Sequence, residues 1–389
     1  MWDDNKNIKT LIEIRLPGEI NKPIRAMEVV ITGFWQIYGP PNWFEEWWEG
    51  QDDLSFSFEI AAINGIPHFL LRIPKKQKEL FETHIHAQYP DAEVFEVEDY
   101  TKKVPQNIPN DRWGIWGTDY VMPKSDCYPL KTYKDFENEA EPKEEKKIDP
   151  LASLMEGLSK MEKGEQIWIQ IKAKPITAEN DGSNFMERSK KEYNKLAGRK
   201  EKPPPPPIWE EVIRILRGLP EEKHESEEAF PEMGLTPGEK DIVTSIENKR
   251  KKHLFSCFVR YVYIHKKEKF SGKGIKIPMS YFNQLNNQGL GFMIPRGETI
   301  TKVKQNWYDF FWFIQKRLYL KKRMMFRNYK RRVPANFPVD DDESTYVLSS
   351  EELATMFHFP SRASVPPSVI QRIDSRKQEA PYELPVEED

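Results

Sequence analysis

Residues 54–73 read LSFSFEIAAINGIPHFLLRI, and this stretch decides the fold. Leu54, Phe56, Phe58 and Ile60 alternate with Ser55, Ser57 and Glu59, the period of two expected of a strand with one apolar face. Asn64-Gly65 follows, and both residues tolerate the positive φ of a tight hairpin turn. Phe69, Leu71 and Ile73 carry the return strand. Upstream, Ile8 to Leu16 alternates in the same way. Asn21 is a candidate helix cap and Pro23 fits a first turn, after which Ala26, Met27, Val30, Phe34 and Ile37 recur at helical spacing. Downstream, Lys75 to Tyr89 reads as a helix with Leu80, Phe81 and Ile85 inward, and Glu93 to Val97 as a last strand. The order β-α-β-β-α-β predicts a ferredoxin-like α+β module over residues 1–100. That arrangement hosts many functions and by itself assigns none.

The rest of the 389-residue chain is less regular. Hydrophobic residues make up 38% and charged residues 31%, against averages of about 45–50% and 25%. Pro (31) outnumbers Gly (19). These values fit folded modules joined by stiff, solvated connections. Residues 101–164 read as an aromatic, Pro-rich loop (Trp113, Trp116, Tyr120, Tyr128) followed by a charged linker at Glu139–Asp149. Residues 165–305 read as a second α+β module. In it Ile167, Ile169 and Ile171 alternate with Trp168, Gln170 and Lys172, Leu254 to His265 is apolar on both faces, and Pro278 to Asn286 is helical. Thr299 to Lys304 reads as extended. Thr236-Pro237-Gly238-Glu239 forms a capping box. The module is interrupted by the prolines 203–207, a short helix over Pro207–Leu216 and the acidic run Glu221–Glu228. One strand of the hairpin needed to repeat the first topology is missing from this reading, so the topology of the second module stays open. Residues 306–333 form a long basic helix, and 334–389 a strand, a short capped helix and an acidic tail.

The basic helix is the most distinctive feature. Lys316, Arg317, Lys321, Lys322, Arg323, Arg327, Lys330, Arg331 and Arg332 follow one another with no acidic residue between them. Dipole stabilisation of positive charge fades within about one turn of a helix end, so it does not explain nine. The pattern points either to contact with a phosphate backbone or an anionic membrane surface, or to a solvated helix paired with the acidic stretch Asp340–Glu343. In a nucleic-acid complex Tyr319, Phe326 or Tyr329 would stack on bases. Trp43, Trp47 and Trp48, with Phe357 and Phe359, are candidates for partner contact.

Catalytic signatures are not evident. Ser271-Gly272-Lys273-Gly274 lacks the upstream glycine and the metal-binding hydroxyl of a phosphate loop and reads as a turn. His84 and His86 lie two apart on a helix and point to different faces. His68, His265 and His358 read as packed structural residues, and Cys127 and Cys257 as core thiols that fit a reducing compartment. No catalytic residue, metal site or cofactor is expected. The net charge of −3 excludes a uniformly basic coat. The longest uncharged run, Val29 to Phe44, is too short to span a bilayer, and Asp3, Asp4, Glu13 and Glu19 argue against a signal peptide. The expected location is cytoplasmic.

Several segments, in order, resemble a known family: LIEIRLP (11–17), HAQYPDAE (86–93), WGIWGT (113–118), YPLKTY (128–133), DPLA (149–152), GEQIWIQ (164–170) and EELATMFHFP (351–360). They are similar to the N-terminal domain of unknown function in conjugation-type, type IV secretion coupling-protein-like ATPases of candidate-phyla bacteria. The resemblance runs from about residue 9 to 385. In that family a membrane segment commonly precedes the domain and a nucleotide-binding domain follows it; neither is found in this chain, so no ATP-binding residue carries over. The resemblance implies a non-catalytic accessory or scaffold domain, or a split-gene half, assembling with a separately encoded DNA-translocating motor ATPase. Peripheral placement at the inner membrane through that partner is also implied. The alternative expectation is a nonspecific nucleic-acid binder using residues 316–332, and self-association is left open.

Overall fold

The computed structural model describes residues 9–17, 22–36, 55–136, 148–177, 183–197, 235–303, 311–335, 344–360 and 372–373. The hairpin leads the architecture. Strands β2 (Phe56–Ile63) and β3 (Ile66–Pro74) pair antiparallel with Ile63 opposite Ile66. The turn places Asn64 at φ 53° and Gly65 at φ 86°, the left-handed backbone that makes a two-residue loop follow the twist of the strands. Strand β1 (Lys9–Pro17) lies beside β3, and β4 (Glu93–Val97) lies on the far side of β1. The order is β4-β1-β3-β2, antiparallel throughout. Helices α1 (Ile24–Trp35) and α2 (Lys78–Gln88) supply the two crossovers. Asn21 lies outside the described residues, and Pro23 occupies the cap position of α1.

The open edge of β2 pairs antiparallel with β6 (Glu165–Pro175), and there the sheet continues. Beyond β6 come β7 (Leu254–Lys266), β5 (Trp113–Val121) and the short β8 (Ile294–Pro295), all antiparallel. The stretch expected to be a Pro-rich loop therefore contains a nine-residue strand. Between β5 and β6 lie α3 (Tyr133–Phe136) and α4 (Ala152–Ser159), and between β7 and β8 lies α7 (Gly272–Gln284). Helices α5 (Ser183–Leu196) and α6 (Pro237–Arg250) occupy a long insertion between β6 and β7. Set that insertion aside, and the order β8-β5-β7-β6 repeats β4-β1-β3-β2 with the same crossovers. The question of topology is thereby answered: the second half repeats the first. The two halves meet through the equivalent strands β2 and β6, which run antiparallel.

Side chains on successive strand residues point to opposite faces. On one face Ile12, Ile14, Phe58, Ile60, Phe69, Ile167, Ile169 and Tyr261 meet Val30 and Phe34 of α1, Phe81 and Ile85 of α2, Leu154 and Leu158 of α4, and Phe282 of α7. Leu80, expected inward, is 42% exposed, because Phe81 and Ile85 set the buried line of α2 and Leu80 stands about 100° from Phe81. The turn expected at Ser271–Gly274 opens α7, where Ser271 Oγ accepts from the Lys273 amide. Gly274 is required there, since a Cβ would lie 2.5 Å from the Tyr263 ring. A turn closes over Arg296–Ile300, and the hydroxyls of Thr299 and Thr301 accept from the β5 amides of Asp119 and Gly117, where an extended segment was expected from Thr299 on.

Strand β9 (Tyr346–Ser349) pairs with the start of β7 and leads into α9 (Ser350–Met356). Ser349 and Glu352 close a capping box, and every residue from Tyr346 to Pro360 is buried. Phe357 packs 4.8 Å from Phe58 and 5.8 Å from Phe69. Phe359 packs 5.5 Å from Phe69 and 5.0 Å from Tyr89. These two phenylalanines, expected at a partner contact, are 1% and 3% exposed and belong to the core. A last short strand, β10 (Arg372–Ile373), runs parallel to the end of β1.

Truncating Phe357 to Ala removes a ring with no solvent to replace it and is expected to cost about 3–5 kcal/mol. Leu80→Ala, on the same core by sequence reading but exposed, is expected to stay within about 0.5 kcal/mol. Urea unfolding midpoints of the two variants measure the contrast.

Candidate polyanion-binding face of the basic helix

The second face of the sheet carries Leu11, Ala61, Leu70, Ile115, Trp168, Val262 and Ile264. It is too apolar to face water, and helix α8 (Phe311–Arg331) covers the β5–β7 side of it. Met325, Phe326 and Tyr329 are buried there, with Tyr329 5.5 Å from the ring of Trp168. Gly117 on β5 lets the helix approach: a Cβ there would stand 2.9 Å from Met325 and 2.8 Å from Val262. Tyr100, Val104 and Ile108 pack beside the helix. The backbone carbonyls of Gln106 and Ile108 accept from Arg323 at 3.3 and 3.4 Å.

The end of α8 is fixed by Arg332. Its backbone turns to φ 55°, its amide donates to the Tyr329 carbonyl, and the Val333 amide donates to the Asn328 carbonyl. The guanidinium then points into the protein. Nε and one terminal nitrogen donate to the two oxygens of Glu59 at 2.9 and 3.1 Å, and the other reaches Asp99 at 2.6 Å. Glu59 is fully buried. It also accepts from Ser57 (2.7 Å), the Tyr100 hydroxyl (2.7 Å) and Gln170 (3.2 Å). Since Tyr100 donates to Glu59, the Tyr329 hydroxyl, 2.7 Å away, donates to Tyr100. Burial alone would raise the Glu59 pKa. The Arg332 charge and these hydrogen bonds outweigh burial and hold the carboxyl below its ordinary value. Asp99 is held low by the same contest, burial against the Arg332 hydrogen bonds and charge.

The nine basic residues thus divide. Arg332 is buried and committed to the interior, so it does not belong to an external binding face. Arg323 is pinned to the 106–108 carbonyls, and Lys330 donates to the Gln106 side chain at 2.8 Å while resting 4.6 Å above the Phe326 ring. Burial lowers the pKa of Lys330 and of Lys322, with Arg323 and Lys267 adding repulsion to each in turn. Lys321 and Lys322 are half-buried, while Lys316, Arg317, Arg327 and Arg331 are exposed. At about 100° per residue, Lys316, Leu320, Met324, Arg327 and Arg331 fall within roughly a quarter-turn opposite Tyr329. Leu320 and Met324 on that line are 53% and 51% exposed, and Tyr319 at its margin is 48% exposed. The acidic stretch Asp340–Glu343, and Trp43, Trp47 and Trp48, lie outside the described residues.

Other buried charges are likewise paired inside. Lys249 and Glu352, each with a side chain 1% exposed, meet at 3.0 Å. Arg260, fully buried, donates through Nε to Asp119 and through a terminal nitrogen to the Val333 carbonyl. His358 lies between the Ala354 carbonyl (3.0 Å) and Asp149 (2.9 Å). His68 meets Glu13 at 2.6 Å. Burial raises the Cys257 thiol well above its ordinary pKa. A cleft of about 340 Å³ is lined by Asp126, Arg188 and Tyr346 among others, where Asp126 accepts from the Val347 amide and pairs with Arg188. Among the described residues no group of three or more His, Cys, Asp or Glu is placed to hold a metal ion.

Residues 42–372 match a family described as a domain of unknown function, DUF8128. The chain belongs to the DUF8128 family. Among curated proteins no match is found. The DUF8128 match covers the β2–β6 seam and the whole of α8, so both are enclosed in the family's own domain.

The Arg332 anchor was not foreseen. Its partner Glu59 is 273 positions away and reads in sequence as an outward polar residue. The available signal was the apolar content of that supposedly polar face, Leu11, Ala61, Leu70 and Trp168. Arg332→Met leaves two carboxylates short of a cation and is expected to cost about 3–5 kcal/mol in urea unfolding. Arg332→Met with Glu59→Gln should recover part of that loss. Glu59 and Asp99 have depressed folded-state pKa values, so their contribution is full above the ordinary carboxylate range and declines as pH falls below about 4. The unfolding midpoint of the wild type should therefore drop through that acid window, and Arg332→Met should flatten the drop.

Proposed function

We propose that the chain is a non-catalytic scaffold that holds α8 outward as a docking face for a polyanion and assembles with a separately encoded, conjugation-type DNA-translocating ATPase. One observation carries the first part: a 21-residue helix without an acidic side chain, clamped by Tyr329 and Arg332, with Lys316, Arg317, Arg327 and Arg331 on its exposed side. The family resemblance supports the second part, together with a cytoplasmic location at the inner face of the membrane. Each β-α-β-β-α-β half is read as a ferredoxin-like unit, a reading supported by the strand order β4-β1-β3-β2 and its repeat.

A second reading makes nucleic acid the ligand of the same face. Tyr319, exposed beside the cations, favours it as a stacking platform. Because phosphate contacts dominate nonspecific binding, affinity should fall steeply with salt, with a log–log slope of about −3 for four contacts.

The test is fluorescence anisotropy of a labelled 30-nucleotide DNA, used as a defined polyanion, titrated with the full chain. Lys316→Glu with Arg327→Glu and Arg331→Glu is expected to weaken binding at least about tenfold and to flatten the salt slope. Equal affinity of the variant and the wild type would end the reading of this face. Assembly with the motor is checked by co-expression with the candidate ATPase and size-exclusion chromatography, a common peak being the expected result.

A further inference from the structure

The outer line of α8 is not purely cationic. Leu320 and Met324 sit at its centre, each more than half exposed, with Lys316 one turn before Leu320 and Arg327 and Arg331 following Met324. Tyr319 adds a third large apolar side chain at the margin. The buried side of the helix is already filled by Met325, Phe326 and Tyr329, so these exposed groups are not needed to hold it to the sheet.

We propose that this face of α8 lies on an anionic lipid bilayer, with Leu320 and Met324 entering the headgroup region and the flanking lysine and arginines on lipid phosphates. The inference rests on the polyanion reading above and names its ligand. Three features separate lipid from the alternatives. A phosphate backbone offers nothing apolar to Leu320 or Met324, and neither of these two side chains is a flat ring on which a base stacks. A bilayer surface provides phosphate and hydrocarbon at depths that differ by a few ångströms, and long cationic side chains can reach up to the first while short apolar ones enter the second. A second copy of the same face is disfavoured by charge, because α8 contains no acidic residue to meet the cations. The helix is placed to lie flat: the sheet holds it along one side, and the exposed line is on the other. Membrane attachment at this strength requires two weak signals together, apolar insertion and a basic patch, and the outer line carries both.

The experiment is sedimentation of the full chain with vesicles of phosphatidylcholine alone or of phosphatidylcholine and phosphatidylglycerol at 3:1, in ~0.15 M salt, alongside the DNA titration described above. Binding to the 3:1 vesicles and not to pure phosphatidylcholine is expected. Leu320→Ser with Met324→Ser, both at exposed positions, should reduce vesicle binding about tenfold or more while leaving the DNA affinity within about twofold. Arg327→Glu with Arg331→Glu should reduce both. Circular dichroism and urea midpoints equal to those of the wild type exclude misfolding of these surface variants. If DNA binds with charge dependence and vesicles do not, the lipid inference falls and the polyanion reading stands with nucleic acid as the ligand. Vesicle binding unchanged by Leu320→Ser with Met324→Ser also overturns the inference. If neither vesicles nor DNA bind, both readings fall.

Discussion

A carboxylate at the centre of the sheet governs the arrangement of the second face. Glu59 lies on β2 opposite Gln170 of β6, at the seam where the two halves of the sheet join, and it is fully buried. An isolated carboxylate in that position would be costly enough to stay protonated or to unfold its surroundings. Five side-chain donors from four elements prevent this: Ser57, Tyr100, Gln170 and the two Arg332 nitrogens. Arg332 can arrive only at the end of α8, so the requirement of Glu59 fixes where that helix stops. Tyr329, one turn earlier, then falls on Trp168, and the exposed line of cations falls on the side away from the sheet. The outward presentation of α8 is thus a consequence of an inward ion pair.

The same logic recurs wherever distant segments meet. Lys249 and Glu352 tie the insertion between β6 and β7 to α9, and Glu352 also accepts from the Leu130 amide. Arg260 and Asp119 tie β7 to β5 and, through the Val333 carbonyl, to the chain just beyond α8. Each pair joins segments far apart in the chain. Buried pairs of this kind add little net stability over well-packed apolar residues, but losing one partner is costly. They therefore act as register pins.

The first half of the fold was legible because its signals are local. The turn Asn64-Gly65, the period of two on either side of it and the apolar line through Val30 and Phe34 lie within one short stretch each. The second half obeys the same topology but hides it. Its β6 and β7 are partners without being a hairpin, since residues 176–253 intervene. Its first strand, β5, carries Gly114 and Gly117 among tryptophans and is flanked by prolines, a composition that imitates a loop. Gly117 is there for the approach of α8, a tertiary reason that no local pattern expresses. The cations of α8 were legible as a group, but their division was not. Which of them face inward depends on the phase of the helix against Trp168 and on an acid 273 positions away.

The near-neutral net charge conceals this division. Arg332 is cancelled within the sheet by Glu59 and Asp99, and Arg323 and Lys330 are held by neutral acceptors around Gln106. Burial of Lys322 and Lys330 lowers their pKa values, with Lys267 and Arg323 adding repulsion. Lys316, Arg327 and Arg331 are exposed on the outer quarter-turn. The same line carries Leu320 and Met324, 53% and 51% exposed. A solvated structural helix has no need to set exposed aliphatic groups among its exposed cations. A helix that meets a surface with phosphate above hydrocarbon does, and the clamp at Arg332 gives it a fixed orientation from which to do so.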